Sequence, residues 1–485
     1  MENLYSLSTS SKMDHDLISR HSLSEDMLID SAAKGAFDIS LPHIEGKRVL
    51  FLVGKGNNGS DALEMARLSL NIAKSVLVYT LFPTGNEENL RRRKLLPLGV
   101  FTSFVPNDVD TIVDGVFGFS FHGSLNEDLR SVFNAIDSSS AYKIALDVPS
   151  GFSYRADATI TFMCRKMELY YPENRRKCGE IFYFNPGFPE DEYYPSDTVL
   201  ITDKEYSPRK FTLSDYKNTR GHLFVFGGST RYPGAPLISS LSAFHAGCGL
   251  VSLCSERSVL DRIFSSHPSI MGVEKDSVDR VKNTAFLLGP GWDAGDRELL
   301  NYAKETKKPM VLDADAIKLI KKGDFFSSKA VLTPHYGEYR TLIGNLGIEE
   351  EDFAQRGRVV SNTLDAVLVV KTSVVWIFYK DKAYVYDGSN PSLGVAGSGD
   401  VLSGIIGAFL SSGMGVLESA INGVILHQKC GKSLSSMLGF YTSEDLLEEV
   451  GKESCFKVTF SLFYIFLFHP SCFFRQNTGS SCPLS

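Results

Sequence analysis

The sequence predicts an α/β protein of two domains, each built around a largely parallel sheet. Its 485 residues exceed the usual length of one domain, and 43% hydrophobic with 22% charged residues is typical of a globular protein with a packed core. Two long blocks alternate short apolar runs with amphipathic stretches, which is the pattern of β–α units in a parallel sheet. A polar segment with four prolines, residues 186–208, separates the blocks and is expected to be a linker.

Composition and charge exclude several functional classes. The net charge of −7 provides no basic field for nucleic acid or for an anionic membrane surface. The eight cysteines form no C-x-x-C pair, so reduced core cysteines are expected rather than a zinc site. The most apolar run, residues 458–468, is shorter than the roughly 18 residues that span a bilayer, and residues 1–24 lack the apolar stretch of a secretory signal. The sequence therefore predicts a cytoplasmic protein without a nucleic-acid or membrane partner.

The apolar runs define the expected elements. In the first block they predict strands over residues 48–53, 76–81, 111–113, 143–146, 158–162 and 180–184, with helices over 61–73 and 126–136. In the second block they predict strands over 222–226, 249–254, 285–288, 309–312, 330–332 and 366–370, then a hairpin of 374–379 with 383–387 and a helix over 401–410.

Three loops of the first block carry an acid directly beyond a predicted strand. They are residues 54–61 with Asp61, residues 114–118 with Asp114, and residues 147–151 with Asp147. Ligands of parallel sheets bind beyond the carboxyl ends of the strands, so the three acids are expected to converge on one site.

The first of these loops contains G-x-G-x-x-G, formed by Gly54, Gly56 and Gly59. A dinucleotide-dependent dehydrogenase would need an acid at the end of the next strand, and residues 78–82 contain none. Glycines that only allow a tight turn are a second interpretation. A hard-cation site is the functional alternative that we favour, because Asn58, Asp114 and Ser150 all offer oxygen ligands.

The motifs of the first block resemble those of the NAD(P)H-hydrate epimerase domain. They are G-x-G-N-N-G-x-D from Gly54, V-D-x-x-F-G from Val113 and D-x-P-S-G from Asp147, with a closing segment over residues 179–187. The resemblance covers residues 13–203 and implies a Rossmann-like domain over residues 13–205 that interconverts the R and S hydrates of NADH and NADPH.

That resemblance also implies roles for individual residues. A potassium ion would be held by Asn58, Asp114 and Ser150. The hydrated nucleotide would be contacted by Asn57, Asn58, Gly59, Ser60, Asp61, Gly118, Phe119, Ser120, Phe121, His122, Gly123, Ser124 and Asp147. Inversion of the hydrated carbon requires general acid–base catalysis, for which Asp147 is the first candidate and Asp61 the second.

The second block contains a glycine-rich run over residues 394–404 that leads into an apolar helix. Free N–H groups at the start of a helix can bind a phosphate in transfer, and Asp400, directly after the glycines, could take a proton from an attacking hydroxyl. The alternative is a glycine turn in which Asp400 only caps the helix.

The G-x-G-D helix resembles the ribokinase-like fold, and further motifs resemble the nucleotide-dependent NAD(P)H-hydrate dehydratases. These motifs lie at residues 227–236, 246–251, 289–291, 312–316 and 332–338. The resemblance covers residues 213–450 and implies a ribokinase-like dehydratase domain over residues 212–451, which leaves residues 452–485 as an extension of unknown role.

By this resemblance, Asp400 would be the catalytic base. The hydrated nucleotide would be bound by Gly291, Thr333, Pro334, His335, Tyr336, Gly337, Glu338, Tyr339 and Asp400. ADP or ATP, with Mg²⁺, would be bound by Lys371, Thr372, Ser373, Val374, Val375, Asn390, Pro391, Ser392, Leu393, Gly394, Val395, Ala396, Gly397, Ser398 and Gly399. Asp313 and Asp315 alternate at the end of a strand, so at most one of them should reach the substrate.

The combined interpretation is a bifunctional enzyme that epimerises NAD(P)H hydrates and dehydrates the S form with ADP or ATP, and the resemblance suggests self-association. One alternative is a small-molecule kinase with a regulatory first domain. Another is a binding or scaffold role for the first domain. A dehydrogenase is the least favoured, because the ribose-binding acid is missing.

Overall fold

The computed structural model describes residues 1–118 and 125–454. Its strands form two sheets, one of seven and one of twelve strands, with helices packed against them, which confirms the α/β class. In the described residues, no helix is both long and apolar enough to cross a membrane. Residues 119–124 of the predicted substrate loop, and the predicted extension from residue 455 onward, lie outside the described ranges.

The strands agree with the predicted runs to within two residues wherever a strand was predicted. In chain order they are β1 (Glu2–Tyr5), β2 (Arg48–Val53), β3 (Ser75–Thr80), β4 (Phe101–Thr102), β5 (Thr111–Gly115), β6 (Tyr142–Leu146), β7 (Ala158–Phe162), β8 (Arg165–Lys166), β9 (Glu180–Phe184), β10 (Thr198–Ile201), β11 (His222–Phe226), β12 (Leu250–Cys254), β13 (Met271–Val273), β14 (Ala285–Leu288), β15 (Met310–Leu312), β16 (Ala330–Leu332), β17 (Val367–Lys371), β18 (Val375–Tyr379) and β19 (Lys382–Tyr386).

The helices are α1 (Leu7–His21), α2 (Glu25–Ile44), α3 (Asn57–Ser69), α4 (Glu87–Arg93), α5 (Glu127–Ser138), α6 (Pro172–Arg175), α7 (Gly234–His245), α8 (Arg257–Ser266), α9 (Arg297–Glu305), α10 (Asp315–Lys318), α11 (Tyr336–Leu346), α12 (Phe353–Leu364), α13 (Ser398–Ser411), α14 (Val416–Leu438) and α15 (Ser443–Glu453). The helix predicted over 61–73 begins at Asn57 instead, because the N-N-G-S segment forms its first turn.

The seven-stranded sheet is parallel throughout and has the order β4-β3-β2-β5-β6-β7-β9. The chain moves outward from β2 in one direction and then returns to add β5 on its other side. The connection that follows β2 and the connection that follows β5 therefore run along opposite faces of the sheet. This opens a crevice between the carboxyl ends of the two strands. The acid-bearing loops of the first block lie around this crevice.

The twelve-stranded sheet has the order β13-β12-β11-β14-β15-β16-β17-β18-β19-β10-β1-β8. It is parallel from β13 to β17, and the predicted hairpin follows as the antiparallel pair β18–β19. Two apolar clusters cover its faces, and the buried cysteines Cys164, Cys178, Cys248, Cys254 and Cys430 are unpaired thiols, as expected.

The linker prediction was wrong for part of residues 186–208. Residues Thr198–Ile201 form β10, which pairs in parallel with β19, and β1 from the start of the chain pairs with β10. The reason is that the hairpin leaves the edge of β19 open, and the T-V-L-I run can bury Leu200 and Ile201 while pairing with it. The sheet of the second block is thus completed by strands from the first.

Candidate functional site

A cavity of about 740 Å³ lies over the crevice of the seven-stranded sheet. The structure brings Asn57, Asn58, Asp61, Gly118 and Asp147 together in its lining, as predicted. Helices α1 and α2 cover the cavity from the other side and add Ser11, Asp14, His15, Ile18, Glu25 and Leu28. Because no chemistry was predicted for residues 1–24, this half of the lining was missed.

Four carboxyl groups line this cavity, three from the aspartates Asp14, Asp61 and Asp147 and one from Glu25. Burial raises the pKa of Asp61 well above its ordinary value, and the charge of Asp147 adds to that rise. Burial also raises the pKa of Asp14 to about 6, although the cation of Lys166 opposes the rise. Asp14 and Asp61 therefore hold protons more tightly than free carboxyls do.

Asp147 differs from the other two aspartates because a buried lysine lies beside it. Lys166 Nζ is 2.7 Å from Asp147 Oδ1, and both side chains are almost fully buried. Burial alone would lower the pKa of Lys166, but the contacts with Asp147, Cys164 and Asp14 together outweigh it and the pKa is raised. Asp147 also has a φ of 67°, a left-handed conformation that costs free energy in a residue with a side chain and is often found at functional sites. The Asp147 carboxylate that lines the cavity is therefore paired with the Lys166 ammonium.

The predicted potassium ligands lie together at the ends of β2, β5 and β6. Asp114 is buried and accepts hydrogen bonds from the Val116 and Ser150 N–H groups, from Ser150 Oγ and from Tyr154 Oη, at 2.8–3.0 Å. Asn58 donates from Nδ2 to the Leu146 carbonyl at 3.2 Å. Its Oδ1 is buried without a hydrogen-bond partner, so one oxygen of the predicted set is left for a cation or a ligand donor.

The remaining predicted residues of the first site differ in their placement. Ser60 is fully buried and its Oγ bonds the Gly56 carbonyl at 3.4 Å, while Gly59 packs so closely on Gly54 that a Cβ would lie 2.3 Å from the carbonyl oxygen. These two residues shape the turn and do not line the cavity. Phe119, Ser120, Phe121, His122, Gly123 and Ser124 fall outside the described residues.

The second site lies at the start of α13. Gly397 has a φ of 88°, and a Cβ there would lie 2.7 Å from Ser443 Oγ, so glycine is required at this turn. The turn exposes the first N–H groups of α13, and Asp400 lies in its first turn. Behind it, His427 Nε2 is 3.0 Å from the Ser398 carbonyl, and burial lowers the pKa of His427 to about 4. A neutral histidine thus holds the first turn in place.

Four ionisable side chains surround this helix start. Lys371 Nζ is 3.0 Å from Asp313 Oδ1, which also accepts a 2.8 Å hydrogen bond from Thr333 Oγ1. Burial raises the pKa of Asp400 to about 7, and Asp313 adds to the rise while Lys371 opposes it. Burial likewise raises the pKa of Glu338. Asp400 is therefore balanced between its protonated and ionised forms near neutral pH, as a general base requires.

Asp313 is the member of the Asp313/Asp315 pair that reaches the site. Asp315 instead accepts the Asp293 N–H at 2.8 Å and pairs with Lys318 at the surface. Asp313 follows β15 and Lys371 ends β17, the two strands that flank β16. Their pairing could not be read from the sequence, because 58 residues separate them.

The predicted substrate segment 333–339 begins helix α11. His335 Nδ1 accepts from the Gly337 and Glu338 N–H groups, and Glu338 accepts from the His335 N–H at 2.9 Å, which makes a capping box. The Tyr336 ring is exposed, whereas Tyr339 is fully buried in the core. Gly291 has a φ of 63° and approaches the Tyr232 carbonyl, in the opening motif of the block.

The predicted donor residues form two segments, one that begins with Lys371 and one that ends directly before Asp400. In residues 371–375 the side chains of Val374 and Val375 are buried, and Thr372 Oγ1 bonds back to Val374. Residues Pro391–Leu393 form a single 3₁₀ turn before the glycines. Asn390 Nδ2 is buried without a hydrogen-bond partner, and is a free donor at this segment. The described residues contain no group of three or more His, Cys, Asp or Glu side chains that could hold a metal ion.

Comparisons with known proteins match the two blocks separately. Residues 223–452 match the family described as NAD(P)H-hydrate dehydratase, and residues 25–167 match the YjeF-related protein N-terminus. A bifunctional NAD(P)H-hydrate repair enzyme of Coxiella burnetii is 29% identical over 441 residues, which cover 84% of this chain and 89% of that protein. The enzyme of the same name from Escherichia coli is 27% identical over 84% of this chain and 85% of its own.

Two solved structures are each similar to about half of the chain. A ribokinase-like superfamily protein of Enterococcus faecalis is 22% identical and covers 54% of this chain and 96% of its own, with a TM-score of 0.48. An ADP/ATP-dependent NAD(P)H-hydrate dehydratase of Bacillus subtilis, co-crystallised with ATP and Mg²⁺, is 23% identical and covers 52% of this chain and 96% of its own, with a TM-score of 0.46.

Proposed function

Because the chain belongs to the family of bifunctional NAD(P)H-hydrate repair enzymes, we propose that its two sites act in sequence on hydrated NADH and NADPH. The first site interconverts the R and S hydrates, and the second dehydrates the S hydrate with ADP or ATP as phosphate donor. One observation carries the proposal. Each site combines an acid of suitable pKa with a carboxylate that is paired with a lysine, and each lies at the carboxyl ends of parallel strands in its own sheet.

In the second site, Asp400 takes the proton of the C6 hydroxyl as its oxygen attacks the terminal phosphorus of the donor. The bond from that phosphorus to the donor breaks, which releases AMP from ADP or ADP from ATP. The N–H groups at the start of α13 stabilise the transferred phosphate. The C6–O bond then breaks, phosphate leaves, and loss of a proton from C5 restores the dihydropyridine.

Lys371 has two functions in this scheme. Its ammonium pairs with Asp313 at the site, and it lies near the glycine turn, where a Cβ on Gly399 would be 3.2 Å from its Nζ. This position suits a cation that binds the donor's phosphates. Mg²⁺ would neutralise further phosphate charge, and the phosphates themselves supply many of its ligands.

In the first site, epimerisation requires the ring to open and close. A base takes the proton of the C6 hydroxyl while the C6–N1 bond breaks and N1 receives a proton, and closure on the other face of the resulting aldehyde inverts C6. The carboxylate of Asp147, paired with Lys166, suits the base, and the proton held tightly by Asp61 suits the acid.

We propose that Asn58, Asp114 and Ser150 hold a potassium ion, and the support for this is Asn58 Oδ1, which is buried and has no hydrogen-bond donor. A bound potassium ion would supply a fixed positive charge at the crevice for the anionic substrate. The cytoplasmic location, the self-association and the choice between ADP and ATP stay predictions.

The proposal is tested by mixing the purified chain with S-NADHX, Mg²⁺ and either ADP or ATP, and by following NADH absorbance and nucleotide products together. NADH and phosphate should appear in equal amounts with AMP or ADP. Phosphorylated hydrate that accumulates without NADH would instead support the small-molecule kinase. Dehydration of the S hydrate with no effect on the R hydrate would support a scaffold role for the first domain.

A further inference from the structure

The predicted donor segment of the second site is held in place by a residue of the first block. Arg175, at the end of α6, donates from Nε to Asp387 Oδ2 at 3.0 Å and from Nη2 to Ser389 Oγ at 2.6 Å. Its Nη1 donates to the Gly179 carbonyl at 2.7 Å, which anchors the guanidinium within its own block. Asp387 and Ser389 directly precede the predicted donor residues, which begin at Asn390.

This contact is well shielded from water. The side chains of Arg175 and Asp387 are 11% and 18% exposed, so the ion pair is stronger than a surface pair. Ser389 has a φ of 43° and donates from Oγ to Asp387 Oδ1 at 2.8 Å. The arginine thus stabilises a loop conformation that a residue with a side chain does not readily adopt by itself.

Two further contacts, from residues 198–203 that precede the second block, fix the strand that leads into the loop. Strand β10 pairs with β19 up to the register Ile201↔Tyr386, the last residue of β19. The Tyr386 hydroxyl donates to the Asp203 carboxylate, and Lys432 Nζ donates to the same hydroxyl at 3.2 Å. The start of the loop is therefore held on two sides by residues that precede the second block.

The loop has hydrogen-bonding capacity that the described contacts do not use. Asn390 Nδ2 and Gln428 Oε1 are both buried without a partner. Gly388 packs so closely on Gln428 that a Cβ would lie 2.0 Å from Oε1, and a Cβ on Gly431 would lie 2.7 Å from Asn390 Nδ2. A free donor and a free acceptor thus adjoin the same loop, and because buried polar groups are usually hydrogen-bonded, both can serve a ligand bound there.

We propose that Arg175 is a positioning residue for the nucleotide donor of the second site, so that the first block completes the donor site of its neighbour. This inference rests on the proposed function for the identity of the donor. Arg175 acts through Asp387 and Ser389 and does not itself contact the donor. Its effect should therefore fall on donor binding and not on binding of the hydrated nucleotide.

The test uses the full chain with three substitutions. Arg175→Met removes the guanidinium, Arg175→Lys keeps a cation, and Tyr171→Phe is the matched control. Tyr171 also joins the two blocks, through a 2.7 Å hydrogen bond to Asp352, but it does so away from the donor loop. Binding of Mg·ADP is measured by equilibrium dialysis, and dehydration kinetics are measured with each substrate varied in turn.

We expect Arg175→Met to weaken ADP binding and to raise its KM about tenfold, a usual size for coupling through a positioning contact. The kcat and the KM for S-NADHX should stay within about twofold, Arg175→Lys should recover part of the loss, and Tyr171→Phe should match the parent. Equal ADP affinity in Arg175→Met and parent would overturn the inference, as would an equal loss in Tyr171→Phe.

The dialysis measurement distinguishes a failure of this inference from a failure of the proposed function. A parent chain that fails to dehydrate S-NADHX, yet binds ADP in an Arg175-dependent way, would refute the dehydratase and leave the inference standing. A parent chain that binds neither ADP nor ATP in this measurement would overturn the inference.

Discussion

At the scale of single residues, both sites place a lysine against an aspartate next to a second carboxyl group whose pKa is raised. Lys166 pairs with Asp147 beside Asp61, and Lys371 pairs with Asp313 beside Asp400. In each case the lysine forms an ion pair with one aspartate, while burial and the charge of that aspartate raise the pKa of the other carboxyl group. Each site therefore combines a lysine-paired aspartate with a carboxyl group that holds its proton more tightly than usual.

The residue prediction for the second site concerns Asp400. Asp400→Asn should lower kcat/KM for dehydration by about 10²–10⁴-fold, because the amide cannot accept the hydroxyl proton. In the parent, kcat/KM should rise with pH up to about 7, since Asp400 must lose its proton to act as a base. Epimerisation of the R hydrate should be unaffected. A flat pH profile through neutrality would contradict this role.

For the first site we predict the effect of removing the lysine. Lys166→Met leaves the carboxyl group of Asp147 buried without its cation, and burial without an opposite charge disfavours the ionised form that acts as a base. Epimerisation at pH 7 should fall by about 10²-fold and recover partly as the pH is raised. Lys34→Met, at an exposed lysine of α2, is the control. A loss that does not change with pH would argue against proton transfer by Asp147.

At the scale of elements, the start of α13 depends on a glycine conformation. Gly397→Ala adds a Cβ 2.7 Å from Ser443 Oγ and places alanine at a φ of 88°, so the turn must move. Dehydration should fall at least about tenfold, and the free energy of unfolding should fall by about 1–2 kcal/mol.

The matched control for this glycine is Gly413→Ala. Gly413 has a similar φ of 91°, but a Cβ there meets nothing within 4 Å. The free energy of unfolding of Gly413→Ala should fall by a similar amount because of backbone strain alone, and its dehydration activity should be preserved. Equal losses of activity in the two variants would show that the turn at Gly397 has no special role.

At the scale of the whole molecule, the larger sheet contains strands from both sides of the predicted division between residues 205 and 212. Strand β10 covers the edge of β19, and β1 and β8 extend the sheet further. A chain of residues 212–454 would therefore expose that edge, whereas a chain of residues 186–454 would keep it covered by β10.

We predict that the shorter fragment melts roughly 5–15 °C below the longer one, from lost burial of Leu200 and Ile201. Thermal unfolding of both fragments, followed by circular dichroism, measures the difference. Equal melting temperatures would mean that β10 contributes no stability to the second sheet.

The sequence was sufficient for elements whose signal is local. Apolar runs such as residues 222–226 and 285–288 identify buried strands, and the glycine run before Asp400 identifies the turn. Asp14, Lys166 and Asp313 could not be placed, because their partners are distant in the chain and no spacing rule links them. Strand β10 was missed for a similar reason, since a four-residue run becomes a strand only where an open edge accepts it.

The most direct test of the whole account starts from purified R-NADHX with the full chain, Mg²⁺ and the preferred donor. S-NADHX, separated by chromatography, should appear transiently, and all of the hydrate should be recovered as NADH. Asp400→Asn should stop at a mixture of R and S, and Asp147→Asn should leave R-NADHX to convert only at its spontaneous rate. Recovery of NADH from the R hydrate no faster in the parent than in Asp147→Asn would contradict the central claim that both sites act in one chain.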